Sequence, residues 1–279
     1  MKSLKGKVAV LTGAGSGIGR ALAQALAQEG STLALADKDP AGLKETLSLL
    51  QGATAQTWNL DVSDRKAVEH FASSVERKMG PADILVNNAG VNAYGLAADT
   101  SYETLKWMMD VNFWGMVHGT QAFLPQLQGR PEASLVNVSS ALGLIGFYGQ
   151  SAYSASKFAV RGFTEALRLE MEETNVAVTL VFPGGVKTGI HKASRNEYHL
   201  TPQEKNQGRE DMEAHLKSTP VQAAEKIVKG IKQGSQRVLI GLDARLIDYL
   251  ARFLPEHYDL YMEMAKKKDP FWSRIQKSK

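Results

Sequence analysis

Residues 8–26 read VAVLTGAGSGIGRALAQAL, and this stretch decides the fold. Val8 to Leu11 form an apolar run of strand length. Thr12 to Gly19 then give a glycine-rich turn, and Arg20 to Leu26 carry apolar residues at helical spacing. The pattern predicts strand, tight turn and helix in that order. Gly13, Gly17 and Gly19 follow a G-x-x-x-G-x-G spacing, which differs from the G-x-G-x-x-G dinucleotide fingerprint but obeys the same physics. Bare backbone can approach a pyrophosphate, and a helix N-terminus turns unpaired N–H groups and a positive dipole end toward the anion. A second apolar run, Thr32 to Ala36, ends in Asp37, eighteen residues past Gly19. That is about where the ribose-binding acid of such a fold belongs.

The same rhythm continues outward. Strand-length apolar runs alternate with amphipathic helical stretches, predicting strands near 7–12, 31–37, 54–60, 83–87, 134–139, 176–182 and 237–240. Capping residues mark several helix starts: Asp39-Pro40, Thr219-Pro220, and Thr201-Pro202-Gln203-Glu204. A doubly wound α/β fold follows, with a seven-stranded parallel sheet between two helical layers. Right-handed crossovers then bring all strand C-termini to one edge. The remaining polar signals fall at that edge. They are Asp61-Val62, Asn87-Asn88-Ala89-Gly90, Ser139-Ser140 and Pro183-Gly184-Gly185-Val186-Lys187-Thr188.

Composition sets the frame. At 279 residues, with 43% hydrophobic and 22% charged residues, the chain suits one α/β domain over 1–279. No apolar stretch approaches the ~18 residues needed to span a bilayer, and MKSLKGKVAV offers no h-region or cleavage site, so a cytoplasmic protein is expected. Zero cysteines exclude disulfides, thiol catalysis and thiolate metal sites. The formal net charge is +4, and residues 265–279 hold six Lys or Arg against one Asp, so removing them takes it to −1. A nearly neutral body gives no footprint for nucleic acid.

Tyr153 and Lys157 lie four residues apart in YSASK, thirteen residues after Ser140. Residues at that spacing share a helix face. The lysine ammonium can therefore favour the phenolate of a tyrosine that ordinarily titrates near ~10, which makes the pair a proton-transfer site.

Together these motifs resemble the short-chain dehydrogenase/reductase family, in its single-domain branch of roughly 250 residues. The resemblance covers about residues 5 to 241, with TGxxxGxG, NNAG, Asn112, Ser140, Tyr153-x-x-x-Lys157 and PGxVxT in the family's order. It implies a Rossmann-type three-layer fold and NAD(P)-dependent conversion between a secondary alcohol and a ketone. In such an enzyme Tyr153 would be the general acid/base, and Ser140 would hold the substrate oxygen. Lys157 would lower the tyrosine pKa and bind the nicotinamide ribose, and Asn112 would hold a water linking that lysine to solvent. Cofactor contacts would fall at Gly13, Ser16, Gly17, Ile18, Gly19, Asp37, Asp61, Val62, Asn88, Ala89, Gly90, Val111, Tyr153, Lys157, Pro183, Gly184, Val186 and Thr188. Asp37 favours NAD, because its charge repels the 2′-phosphate of NADP. Lys38 and Arg20 lie near enough in sequence to offer that phosphate compensation, so NADP is also admitted.

Ala93-Tyr94, Leu142 to Tyr148, and Val186 with Ile190 are the expected substrate walls, and their apolar character favours a hydrophobic alcohol or ketone. Ser140, Leu142 and Tyr153 would touch it. The polar connection 188–219 is expected to act as a lid, and its His191, His199 and His215 are read as exposed structural residues. Beyond the seventh strand, Ala244 to Leu254 and Tyr258 to Lys268 read as helical parts of an extension over 242–279. Its Leu260, Met264, Phe271 and Trp272, interleaved with Lys266-Lys267-Lys268, would suit contact with an anionic membrane surface. Apolar residues over 102–127, with the long stretch 151–172, predict self-association, and the resemblance implies a homodimer or homotetramer. Two other functions fit the same motifs: a non-catalytic NAD-binding module, and an isomerase or dehydratase using bound nicotinamide.

Overall fold

The computed structural model describes residues 1–190, 194–196 and 216–259. The expected helix at Thr201, the three lid histidines and residues 260–279 lie outside these, so the Tyr258 to Lys268 helix is left undescribed beyond its first two residues.

The seven predicted strands form one parallel sheet. They are β1 (Val8–Thr12), β2 (Thr32–Asp37), β3 (Ala55–Asn59), β4 (Ile84–Asn87), β6 (Ala133–Val138), β7 (Val176–Pro183) and β9 (Arg237–Ile240). Their order is β3-β2-β1-β4-β6-β7-β9. Each central strand is buried along nearly its whole length and mostly apolar, because both faces are covered. Alternation decides the face. Ala9, Leu11, Leu33 and Leu35 pack with Leu22 and Leu26 of α1 (Gly17–Gln28) and with Ile227 and Ile231 of a later helix, Pro220–Gln233. Val8, Val10, Ala34 and Ala36 turn to the other layer, against Phe71 of the helix Arg65–Met79 and Phe123 of the helix Gly115–Gln128. The edge strand β3 is largely exposed and polar, AQTWN, which suits an edge better than a sheet centre.

Two pieces were not foreseen. Ala93–Tyr94 and Arg195–Asn196 pair as a small parallel ribbon, β5 with β8, so the connection after β7 returns to the segment after NNAG. The helical stretch from residue 102 is also not uniform: Tyr102–Met109 passes through a π-helical turn, Asp110–Trp114, into Gly115–Gln128. The apolar surplus expected there is mostly internal, since Met108, Met116 and Val117 are buried while Leu105 and Trp114 stay exposed.

Two of the three expected caps lie in the described residues, and both are formed. Asp39 accepts from the Ala41 N–H, and Thr219 makes a reciprocal capping box with Gln222. After β9, Gly241 leads into the helix Leu242–Phe253, which covers the expected amphipathic stretch. Among the described residues no helix is long and apolar enough to cross a membrane.

Candidate active site

The chain order of the sheet reverses between β1 and β4, the switch point at whose strand C-termini folds of this kind form their ligand crevice. The glycine turn follows β1 and NNAG follows β4, so both line this crevice. They are bonded to each other: Asn88 Nδ2 donates to the Thr12 and Gly13 carbonyls at 3.1 Å each, and Thr12 Oγ1 accepts the Asn88 and Ala89 N–H groups. The glycines also serve the protein's own packing. A Cβ at Gly13, which sits at φ +67°, would strike Asn88 and Ala89, one at Gly19 would strike the Gly13 carbonyl, and one at Gly17 would crowd Thr188. Their bareness lets protein segments close on one another, which shapes the turn before any ligand arrives.

The turn suits a dinucleotide. Ser16 is the N-cap of α1 but makes no side-chain capping bond, leaving first-turn N–H groups without that partner. Asp37 accepts from the Gly15 N–H at 2.7 Å, so its carboxylate is fixed beside the turn. Asp61, after β3, accepts from Ser63 and pairs with Lys38 at 2.6 Å. Burial alone would raise the Asp61 carboxyl, but Lys38 and Ser63 outweigh it and hold it below its ordinary value. Val62 is buried, and Ile18 and Val111 pack at the core margin.

The tyrosine and lysine project from the helix Ser151–Glu170. Tyr153 packs on Ala93, Met108 and Ala152, and Ser140 stands close enough to draw its hydroxyl's pKa down. Ser139 turns away, donating to the Lys157 carbonyl at 2.9 Å, so only the second serine faces the phenol. Ser140 Oγ also accepts the Leu142 N–H at 3.1 Å, which fixes the hydroxyl's place. Lys157 is 3% exposed; its Nζ donates to the Val138 carbonyl at 3.1 Å and lies 5.7 Å from the Tyr153 ring centroid. Burial pushes the phenol up to about 12, against the pull of Ser140, and pushes the lysine down to about 8. The lowering of Tyr153 expected from Lys157 is not seen in the protein alone: desolvation raises the phenol and only Ser140 draws it down.

Asn112 sits in the π-helical turn. Its amide exchanges two hydrogen bonds with the Val91 backbone, at 2.8 and 3.0 Å, and donates to Ser156 Oγ at 2.9 Å. The side chain thus clamps the segment after NNAG to the tyrosine helix, a role the sequence reading missed. Gly90 fits between: a Cβ there would lie 3.3 Å from Asn112 Oδ1 and 3.4 Å from Lys157 Nζ.

Some expected walls are core instead. Val186 is 4% exposed and packs in the cluster with Ile240, so its side chain anchors the loop from beneath and does not face the crevice. Leu144 and Ile145 are likewise buried, whereas Leu142, Phe147 and Tyr148 keep partial exposure.

Known proteins with this arrangement are numerous. A family model described as short chain dehydrogenase matches residues 7–199. SadH of Mycobacterium tuberculosis, which carries an oxidoreductase name, is 42% identical over 98% of this chain and all of its own length. The dehydrogenase/reductase SDR family member 7B of Xenopus tropicalis is 33% identical over 95% of this chain and 87% of its own. Among solved structures, a short chain dehydrogenase/reductase from Burkholderia phymatum in complex with NAD superimposes with a TM-score of 0.84 at 32% identity, covering 94% of this chain and 97% of that one.

Proposed function

The chain belongs to the short-chain dehydrogenase family, and on that premise we propose that it interconverts a hydrophobic secondary alcohol and its ketone with a nicotinamide cofactor, using Tyr153 as acid and base. The observation that carries this reading is the convergence of Ser140 and Tyr153 beside the buried Lys157, 5.7 Å from the tyrosine ring centroid, at the crevice where the glycine turn and NNAG meet.

The nicotinamide cofactor, when bound, would accept hydride from the alcohol carbon in oxidation and, in its reduced form, give hydride to the ketone carbon in reduction. The chain does the rest. In the reductive direction the Tyr153 hydroxyl, protonated at neutral pH, gives its proton to the carbonyl oxygen. The phenolate left behind gains from the positive charge of Lys157, and Ser140 holds the reacting oxygen so that developing charge meets a fixed donor. The oxidative direction runs these transfers backward. Leu142, Phe147 and Tyr148 support an apolar substrate.

Three observations support NAD over NADP. Asp37 is fixed beside the turn. Arg20 is tied to both Glu45 carboxylate oxygens and to the Gly15 carbonyl, and Lys38 to Asp61. Neither basic group is left idle for a 2′-phosphate. A solved neighbour 27% identical to this chain, the alcohol dehydrogenase of Thermococcus sibiricus, is complexed with 5-hydroxy-NADP, so the alternative exists within the fold. We further read the protein as a cytoplasmic homodimer or homotetramer that binds no nucleic acid; contact of its basic C-terminus with an anionic membrane stands as a separate test by vesicle co-sedimentation.

The deciding experiment follows loss of NADH and NADPH absorbance with a panel of hydrophobic ketones, with Tyr153→Phe as the blank. Turnover that depends on Tyr153 supports the reading. Binding of NAD without turnover of any carbonyl or alcohol would favour the non-catalytic module.

A further inference from the structure

Three glycines on two segments leave room for one carboxylate. Gly184 and Gly185 follow β7, and Gly241 precedes the helix Leu242–Phe253. A Cβ at Gly184 or Gly241 would land on the Asp243 side chain, and one at Gly185 would lie 3.4 Å from its Oδ2. The Gly185 N–H donates to Asp243 Oδ2 at 2.5 Å. Gly241 also takes φ +98°, a conformation that other residues seldom adopt. Backbone hydrogen bonds grip the turn from other sides. Gly184 N–H donates to the Ile240 carbonyl at 2.9 Å, and the Gly185 carbonyl accepts from the N–H groups of Lys217 and Ser218 at 3.2 and 3.1 Å.

This turn sets the course of the loop to Thr188. At its start, Pro183 ends β7, which runs beside β6 and its Ser139-Ser140 terminus. At its far end, Thr188 lies against Gly17, where a Cβ would be 3.1 Å from the threonine Cβ. The loop thus runs from the Ser140 side of the crevice to the glycine turn. Asp37 and Asp61 stand on the opposite side, after β2 and β3.

We propose that Asp243 is a positioning residue, which fixes the Gly184-Gly185 turn and through it holds the loop to Thr188 against the nicotinamide half of the cofactor. The proposal rests on the cofactor reading above. It separates two ligands: NAD engages both halves of the crevice, whereas ADP-ribose lacks the nicotinamide.

Calorimetric titration of both ligands, with thermal melts of the ligand-free protein, tests it on the native chain, Asp243→Ala and Asp243→Asn. Losing a hydrogen bond to a charged group should weaken NAD binding to the alanine variant by about ten- to a hundredfold, with ADP-ribose within about twofold of native. Asn keeps an oxygen for the Gly185 N–H and should restore most of the NAD affinity, and in turnover the alanine variant should raise the cofactor KM more than it lowers kcat. Native NAD affinity in the alanine variant overturns the proposal. So does equal loss of both ligands, or failure of that variant to fold, either of which assigns Asp243 to stability alone. A native protein that binds neither ligand defeats the cofactor reading itself, and this inference with it.

Discussion

The Lys157 ammonium lies 5.7 Å from the centroid of the Tyr153 ring and spends a hydrogen bond on the Val138 carbonyl. The cation is buried, and that burial costs stability, because its pKa falls from 10.5 to about 8 on folding. The unfolded chain binds the extra proton between those values, so the penalty is full below pH 8 and is relieved as pH rises toward 10.5. Lys157→Met removes it. About 3 kcal/mol of desolvation, less about 1 for the lost Val138 hydrogen bond, should leave the variant roughly 2 kcal/mol more stable than native at neutral pH. Urea unfolding at pH 7 and again near pH 10 checks this: the advantage should shrink at the higher pH, and a variant less stable than native at both would contradict it.

Tyr153→Phe keeps the ring against Ala93 and Met108 and deletes only the hydroxyl. Proton transfer by a positioned group contributes about 10²–10⁴ in rate, so turnover should fall by at least that much while NAD affinity changes by less than about threefold. Steady-state rates beside a binding titration separate the two quantities. Retention of more than a few per cent of native turnover, on the order of one part in thirty, would move the acid/base role elsewhere.

Asp37 accepts from both the Gly15 and Asp39 N–H groups, so its carboxylate is held before a ribose is present. Asp37→Ala should lower the ratio of kcat/KM for NAD over NADP by about tenfold or more, mainly through a higher KM for NAD. Full kinetics with each cofactor decide it, and an unchanged ratio would remove Asp37 from cofactor choice.

The sheet was legible because its central strands are mostly apolar runs, and the crevice because TGAGSGIG, NNAG and the YSASK helix sit at the strand ends that such a sheet brings together. What escaped was long-range geometry. Nothing in DVNFW marks a π-helical turn, although it decides that Asn112 meets Val91 and Ser156. The β5–β8 ribbon is two residues per strand, too short for any periodicity to register. Val186 reads as a loop residue yet is held in the core, because the backbone on either side of it is bonded to Ser218. Asp243 sits 58 residues from the glycine it binds, and only the folded chain brings them together.

The surface left by the helices Tyr102–Met109, Gly115–Gln128 and Ser151–Glu170 bears on assembly. Leu105 is 43% exposed, Trp114 47%, Phe158 40% and Leu169 59%, an apolar set that the described residues leave open to solvent. A second copy covering that face would make Phe158 an interface residue. Phe158→Glu then sets a carboxylate into an apolar contact with no partner, and should weaken association by about a hundredfold or more. Leu47→Glu, on the distant helix Pro40–Ser48 and 42% exposed, controls for surface charge as such. Sedimentation velocity should show native protein and the Leu47 variant as dimer or tetramer and the Phe158 variant as smaller species. If the native chain sediments as a monomer at micromolar concentration, self-association is wrong; if all three share one oligomeric mass, the contact uses another face.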